Sequence, residues 1–431
     1  MARERQVLVR GGTVVDAAGA RRADVLVKGE VVAAVEPNLG SPPAGAVVLD
    51  AGGCTVAPGL VDLHTHLREP GAEEAETVET GSRAAALGGY TAVVAMPNTD
   101  PVADSAAVVR QLLDLAKGAC CDVWPAGAIT VGRRGVTLSP MAEMAALGVK
   151  MFTDDGTGVE DASLMRRALE YASGLGVVVA DHCEDASLAG GGCMNEGDLS
   201  SLLGLPGRPA VSEEIMVRRD LALARSTGAR LHVLHLSSEL ALCAVREAKA
   251  AGVAVSAEVT PHHLVLTEDV VSSYDPVFKV NPPLRTAADV AALRGGLVDG
   301  TVDAIATDHA PHPPEAKEVA FCEAAPGMVG LETALSLALS ELGLPVETVL
   351  ALMSWQPAAI AGIRGAHGGP VRPGTPANLC VIDPARRWVV EPSALASRSR
   401  NTPFAGRELR GKVRHTVFAG EPVVIGEEAQ R

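Results

Sequence analysis

Short β-forming runs alternate with Ala- and Leu-rich helical stretches over roughly 300 residues of this chain, and that alternation limits the fold more than any other feature. YTAVVAMP, VVVADH, ARLHVLHLS, VAVSAEVTP and VDAIATDHAP are each preceded by such a stretch. DASLMRRALEYASGLG shows the pattern: apolar residues at helical spacing, closed by a glycine stop. A strand that leads through a helix to the next strand makes a parallel crossover. Many in succession predict an α/β fold, a closed (β/α)8 barrel of the TIM type. An open doubly wound sheet is the alternative, but no G-x-G-x-x-G follows the first strand.

The two ends have a different texture. Residues 6–57 read as short β segments with turn punctuation, and ANLCVIDP, RWVVEP and KVRHTVFAGEPVV repeat it near the C-terminus. We expect both termini to pair into one small β-sandwich domain, residues 1–57 plus 370–431, beside a barrel of residues 58–369. The chain has 431 residues, 47% of them hydrophobic, enough for a large core; aromatics are only 3%, so Ala, Val and Leu must fill it. A net charge of −15 without a basic cluster argues against nucleic acid as a partner. No uninterrupted apolar run reaches ~18 residues, which argues against a membrane span. The opening MARERQVLVRGGTVVDAAG has no long apolar core, so no signal peptide and a cytoplasmic location are expected. The eight cysteines form no C-x-x-C pair and read as reduced, buried, small hydrophobes.

The polar residues with chemistry fall at the C-terminal ends of the β runs, where a barrel builds its active site. His64 and His66 end GLVDLHTH, Asn98 follows TAVVAMP, and Asp155 follows VKMFT. His182 ends VVVADH, His235 ends LHVLH and Asp308 ends AIATD. His64 and His66, two apart on a strand, share one face, which favours a metal over two structural histidines. His182 and His235 are each an even choice between ligand and supporting residue. His232 faces the other way and reads as structural, and His262 and His263 rank below the rest. Asp154 and Asp155 have a bland reading as turn or cap residues. Four imidazoles and two carboxylates exceed one tetrahedral zinc but suit two divalent ions about 3.5–4 Å apart with a bridging carboxylate. Arg68, Asn98, Asn281 and Arg285 are the remaining polar groups near strand ends. Arg68 reads either as a surface partner of Glu69 or Glu73, or as a planar fork for a carboxylate; delivery by the metal-binding strand favours the second.

GLVDLHTHLREPG, MPNTDP, FTDDG, DHCED, HVLHLS, KVNPPLR and ATDHAPH, in this order along nearly the whole chain, resemble the dihydroorotases of the amidohydrolase superfamily, in their longer bacterial form. Hydantoinases and allantoinases share the His-x-His strand, but their first motif usually lacks the arginine and their later one reads S-P-P; Arg68 and Asn281 therefore favour a substrate with an α-carboxylate. The resemblance implies a barrel with a small β domain from both termini. It implies two zinc ions: His64, His66 and Asp308 on the first, His182 and His235 on the second, Asp155 bridging. Lys150 in VKMF is the competing bridge, as a carboxylated lysine; Asp155 is preferred, with Lys150 paired to a nearby acid. His66, Arg68 and Asn98 then lie at the substrate, Arg68 and Asn98 on its carboxylate. Asn281 and His312 contact the ring, and the backbone of Pro326 and Gly327 closes the pocket.

The implied reaction is the interconversion of N-carbamoyl-L-aspartate and (S)-dihydroorotate in pyrimidine biosynthesis. A hydroxide held between the metals attacks the ring amide, and Asp308 acts as general base and then acid. A hydantoinase or allantoinase, or a non-catalytic homologue serving aspartate transcarbamoylase, are the alternatives. Expected partners are a small-molecule substrate, a second copy of the chain and, on the resemblance, aspartate transcarbamoylase.

Overall fold

The computed structural model describes residues 5–431. Eight parallel strands close a barrel: Leu60–Thr65, Tyr90–Ala95, Asp122–Pro125, Met151–Phe152, Val178–Asp181, Leu231–Val233, Val255–Val259 and Ala304–Ile305. Regular ladders join the first three strands and the last five. Parallel bridges Gly127–Phe152 and Thr65–His309 close the two seams. Helices follow the strands in turn, among them Val78–Leu87, Ala162–Leu175, Val211–Thr227 and Ala287–Asp299.

Local chemistry sets these elements. Asp161 accepts from the Leu164 amide as N-cap, and Gly176, at φ 68°, ends the same helix in the left-handed region that glycine enters without steric cost. This is the stretch whose spacing and glycine stop predict a helix. Thr77 and Thr286 open their helices with reciprocal capping boxes. The main core joins strand residues Val93, Val123, Val179, Val233 and Val259 to helix residues such as Ala84, Val109, Ala168 and Val245. A second cluster joins Val61, Leu63, Ala92, Val94, Met151, Ala180 and Ala304. Small aliphatic side chains do the filling, as the scarcity of aromatics requires.

The termini pair into one nine-stranded sheet. Its N-terminal strands run from Gln6–Asp16 to Thr55–Pro58, and its C-terminal strands from Leu379–Val389 to Glu428–Ala429. The seam is antiparallel, Leu379 opposite Pro58 and Ile382 opposite Thr55. Val7, Val25, Val56, Val381 and Val417 bury one shared core. Among the described residues no helix is long and apolar enough to cross a membrane.

Candidate active site

The first barrel strand ends at Thr65, and its ladder carries His66 on through the amide of His66 to the His309 carbonyl at 2.9 Å. His64 Nδ1 lies 2.9 Å from Glu258 Oε1, and His66 Nδ1 lies 2.9 Å from Asn98 Oδ1. Each acceptor holds the Nδ1–H tautomer and turns the Nε2 lone pair inward. His64 Nε2 then lies 3.4 Å from Asp155 Oδ1 and 3.5 Å from Asp308 Oδ1. His66 Nε2 lies 3.1 Å from Asp308 Oδ1 and 3.5 Å from Asp155 Oδ2.

His182 and His235 complete the group. His182 Nδ1 is 2.8 Å from His235 Nε2, and the two nitrogens are 3.8 and 3.6 Å from Asp155 Oδ1. Asp155 alone thus reaches all four imidazoles. All six side chains are buried. His235 and Asp308 follow their strands with φ of 28° and 44°, so each backbone turns left-handed where it delivers its side chain.

These residues fit divalent ions. His64 Nε2 is buried with no hydrogen-bond partner, although two carboxylates face it. Burial opposes charge on His64, yet Asp155 and Asp308 outweigh it and raise its pKa well above the ordinary value. Burial likewise pushes the Asp308 carboxyl up, and His64 and His66 reverse this and hold it below the usual range. The field at this point therefore favours a cation among nitrogen and oxygen donors, a set that suits zinc. Of the three groups with metal-ligand spacing among the described residues, two belong to this cluster, His64, His66 and Asp308, and His64, Asp155 and His235; the third is Asp181, Cys183 and Asp220.

Lys150 is exposed, immediately before the fourth strand, and makes no ion pair among the described residues. The acid partner expected for it is not there. Asp154 turns away and accepts from the Thr130 amide at 3.0 Å, which separates the structural aspartate of FTDDG from the inward one.

Arg68 has neither Glu69 nor Glu73 as partner. Glu69 Oε2 accepts from the Val78 amide at 2.8 Å and Glu73 Oε1 from the Gly71 amide at 2.9 Å. Arg68 Nε donates to the Pro311 carbonyl at 3.1 Å, and Nη2 lies 3.3 Å from His312 Nε2. Burial and the Arg68 charge push the His312 pKa down to about 3, so its ring is neutral. His312 Nε2 lies 2.9 Å from the Pro326 carbonyl, and Gly327 follows at φ 140°. A Cβ on Gly327 would come within 2.6 Å of Ala310 Cβ and 3.0 Å of His312 Nε2, so only glycine closes this wall. Asn281 Nδ2 donates to His182 Nε2 at 3.2 Å, while its oxygen accepts from Arg208.

Arg285, by contrast, supports the site from behind. Its guanidinium donates to Ser237, Asn195 and the Arg208 carbonyl. His262 and His263 lie on the short helix Pro261–Val265, where His263 bonds Thr260 and the Pro282 carbonyl.

Sequence reasoning missed three contributors. Glu258 links His64 and His232 (2.9 and 3.0 Å); burial would raise its pKa, but hydrogen bonds from those two rings hold it at about 2. A carboxylate inside the apolar run VAVSAEV was the available signal. Glu184, in DHCED, pairs with Arg208 at 2.8 Å, and against its burial His182 and Arg208 hold it at about 2. Arg208 carries no signal, because a two-stranded ribbon pairing Asn195 with Arg208 brings it in.

A (β/α)8 barrel with this cluster at its strand ends and a sheet built from both termini defines a barrel hydrolase of the amidohydrolase class. The chain is 26% identical to an L-hydantoinase (dihydropyrimidinase) of Arthrobacter aurescens, covering 99% of this chain and 97% of that one, with a TM-score of 0.88. A D-hydantoinase (dihydropyrimidinase) of Thermus sp. gives 27%, 98%, 96% and 0.85. The family model described as Dihydro-orotase-like matches residues 53–240. A dihydroorotase of Streptomyces coelicolor is 52% identical over 430 residues, covering 97% of this chain and 98% of that protein. One of Pelotomaculum thermopropionicum is 48% identical over 426 residues, with the same coverage. The chain belongs to the dihydroorotase family.

Proposed function

We propose that this enzyme interconverts N-carbamoyl-L-aspartate and (S)-dihydroorotate, with dihydroorotate formation as the biosynthetic direction. The observation that carries the reading is Arg68. Its guanidinium sits beside the imidazole–carboxylate cluster with no carboxylate partner among the described residues, and burial pulls its pKa down. A desolvated guanidinium of this kind lacks only a ligand carboxylate, and a neutral cyclic amide would not supply one.

His64, His66 and Asp308 would hold one zinc ion, His182 and His235 a second, and Asp155 both. Two ions bound there supply Lewis acidity to the ring carbonyl and lower the pKa of a water. Arg68 and the Asn98 amide orient the substrate carboxylate beside His66. Asn281 and His312 contact the ring, and the Pro326–Gly327 backbone closes over it. Asp308 turns Oδ1 toward both imidazoles, which leaves Oδ2 to take a proton from the attacking water and return it to the leaving ring nitrogen.

The division into a terminal β domain (1–57, 370–431) and a barrel (58–369), the place in cytoplasmic pyrimidine biosynthesis, a homodimer and a complex with aspartate transcarbamoylase belong to the same reading. One experiment tests its centre: turnover of dihydroorotate, hydantoin and allantoin, with metal content measured on the same sample. Selective turnover of dihydroorotate with about two ions per chain is expected. Preference for hydantoin would make it a neutral cyclic amidohydrolase, and absence of metal a scaffold.

A further inference from the structure

Cys193 and Cys322 face each other across the mouth of the site with their sulfurs 2.6 Å apart. They come from different segments. Cys193 is buried in the excursion after the fifth strand, packed with Met194, Val271 and Phe321. Cys322 is exposed and lies in the loop that runs from Asp308 to Gly327. The separation is inside van der Waals contact, so the two sulfurs already meet.

We propose that Cys193 and Cys322 are an oxidation site: a peroxide converts them to a disulfide that fastens the substrate loop to the segment carrying Arg208. Burial, with the hydrogen bond to Cys322, pushes the Cys193 thiol up to about 12, so the exposed Cys322 meets the oxidant first. The Cys322 thiolate attacks the peroxide; an S–O bond forms, the O–O bond breaks, and the departing oxygen leaves as water. The Cys193 sulfur then attacks the Cys322 sulfenic acid; the S–S bond forms, the S–O bond breaks, and the hydroxyl leaves as water with the second thiol proton. The two sulfurs lose two electrons and the peroxide gains them.

The clasp reaches the site from both sides. Arg208 donates to the carbonyl of Gly192, next to Cys193, at 2.9 Å, and the same guanidinium holds Glu184 and Asn281. Lys279 Nζ donates to the Cys322 carbonyl at 2.7 Å, two residues before Asn281. Both cysteines, Arg208, Lys279, Asn281 and Pro326 line one cavity of about 250 Å³. The loop also meets the Arg68 fork, Nε through the Pro311 carbonyl and Nη2 through His312, so its position sets how a substrate carboxylate reaches the guanidinium. A disulfide across the loop restrains the backbone that carries these contacts, and substrate exchange past it slows.

The kinetic half of this proposal rests on the proposed function; the chemical half does not. The full-length, metal-loaded protein is treated with hydrogen peroxide, digested without reductant and mapped by mass spectrometry, with turnover measured in parallel. A Cys193–Cys322 peptide pair is expected, with a fall in kcat of about tenfold that dithiothreitol reverses. Cys322→Ser and Cys193→Ser should keep the reduced enzyme's kcat and resist peroxide. Absence of the linked peptide, a linked enzyme with unchanged kcat, or equal peroxide sensitivity in Cys322→Ser would each overturn it. If the reduced protein fails to turn over dihydroorotate, the proposed function falls, while the peptide map still decides the disulfide.

Discussion

Glu258 stands between two histidines, its Oε1 2.9 Å from His64 Nδ1 and its Oε2 3.0 Å from His232 Nε2. His64 presents Nε2 to Asp155 and Asp308 because this carboxylate occupies the other nitrogen. An amide in its place cannot accept from both rings. Glu258→Gln should lower metal content or activity by about 10–100-fold with the fold retained. Metal analysis and circular dichroism on one preparation test this; unchanged metal content and turnover would contradict the positioning role.

Asp308→Asn removes the proton carrier but keeps an oxygen ligand near His66. A loss of kcat of about 10²–10⁴-fold is expected, with substrate binding still measurable by calorimetry. Near-wild-type turnover would remove Asp308 from the proton path.

Arg68→Lys keeps the charge and loses the planar fork. KM for dihydroorotate should rise by at least about tenfold, equivalent to about 1.4 kcal/mol, as the bidentate contact becomes a point contact. An unchanged KM would return Arg68 to a structural role with Pro311 and His312.

Lys317 is buried, and its Nζ donates to the carbonyls of Lys279, Ala325 and Gly327 at 3.3, 2.8 and 3.0 Å. It pins the backbone that closes the pocket. Lys317→Met fills the space without the three donors and should raise KM more than it lowers kcat. Steady-state kinetics separate the two parameters, and a pure stability loss with unchanged KM would exclude the clamp.

Burial raises the Glu332 carboxyl to about 7, although the Ser397 and Ala396 amides oppose the shift. Its folded pKa lies above the unfolded value, so the folded state binds more protons between pH 4.5 and 7. Its contribution is present below pH 4.5 and is lost as pH rises through 7. Glu332→Gln keeps the acceptor oxygen and cannot ionise. Relative to wild type, it should be more stable at pH 8 than at pH 5 by urea denaturation; a constant difference would mean the carboxyl titrates normally.

The repeating pattern made the barrel legible. The helix predicted from apolar spacing and a glycine stop ends at Gly176 in the structure, and Asp161 caps its start, because caps act within a few residues. The short strand Met151–Phe152 and the seam at Gly127 carry little periodicity and follow from barrel closure. His64, His66 and Asp308 were legible as strand-end groups, whereas for Asp155, His182 and His235, also at strand ends, only the family resemblance decided the ligand role; the structure brings all six together. Asn98 was legible as a polar strand-end group, but its hold on His66 was not.

By itself the sequence determined which elements form and which side chains end each strand, since propensity, capping and hydrophobic period are local. Tertiary structure decided the rest. It turned Asp155 inward and Asp154 away, left Lys150 exposed, withdrew Arg285 behind the site, brought in Glu258, Glu184 and Arg208, and set Cys193 against Cys322 across 129 positions. Those pairings depend on the direction in which each strand end releases its side chain into a closed barrel. No local pattern encodes that direction, because it comes from contacts between residues far apart in the chain.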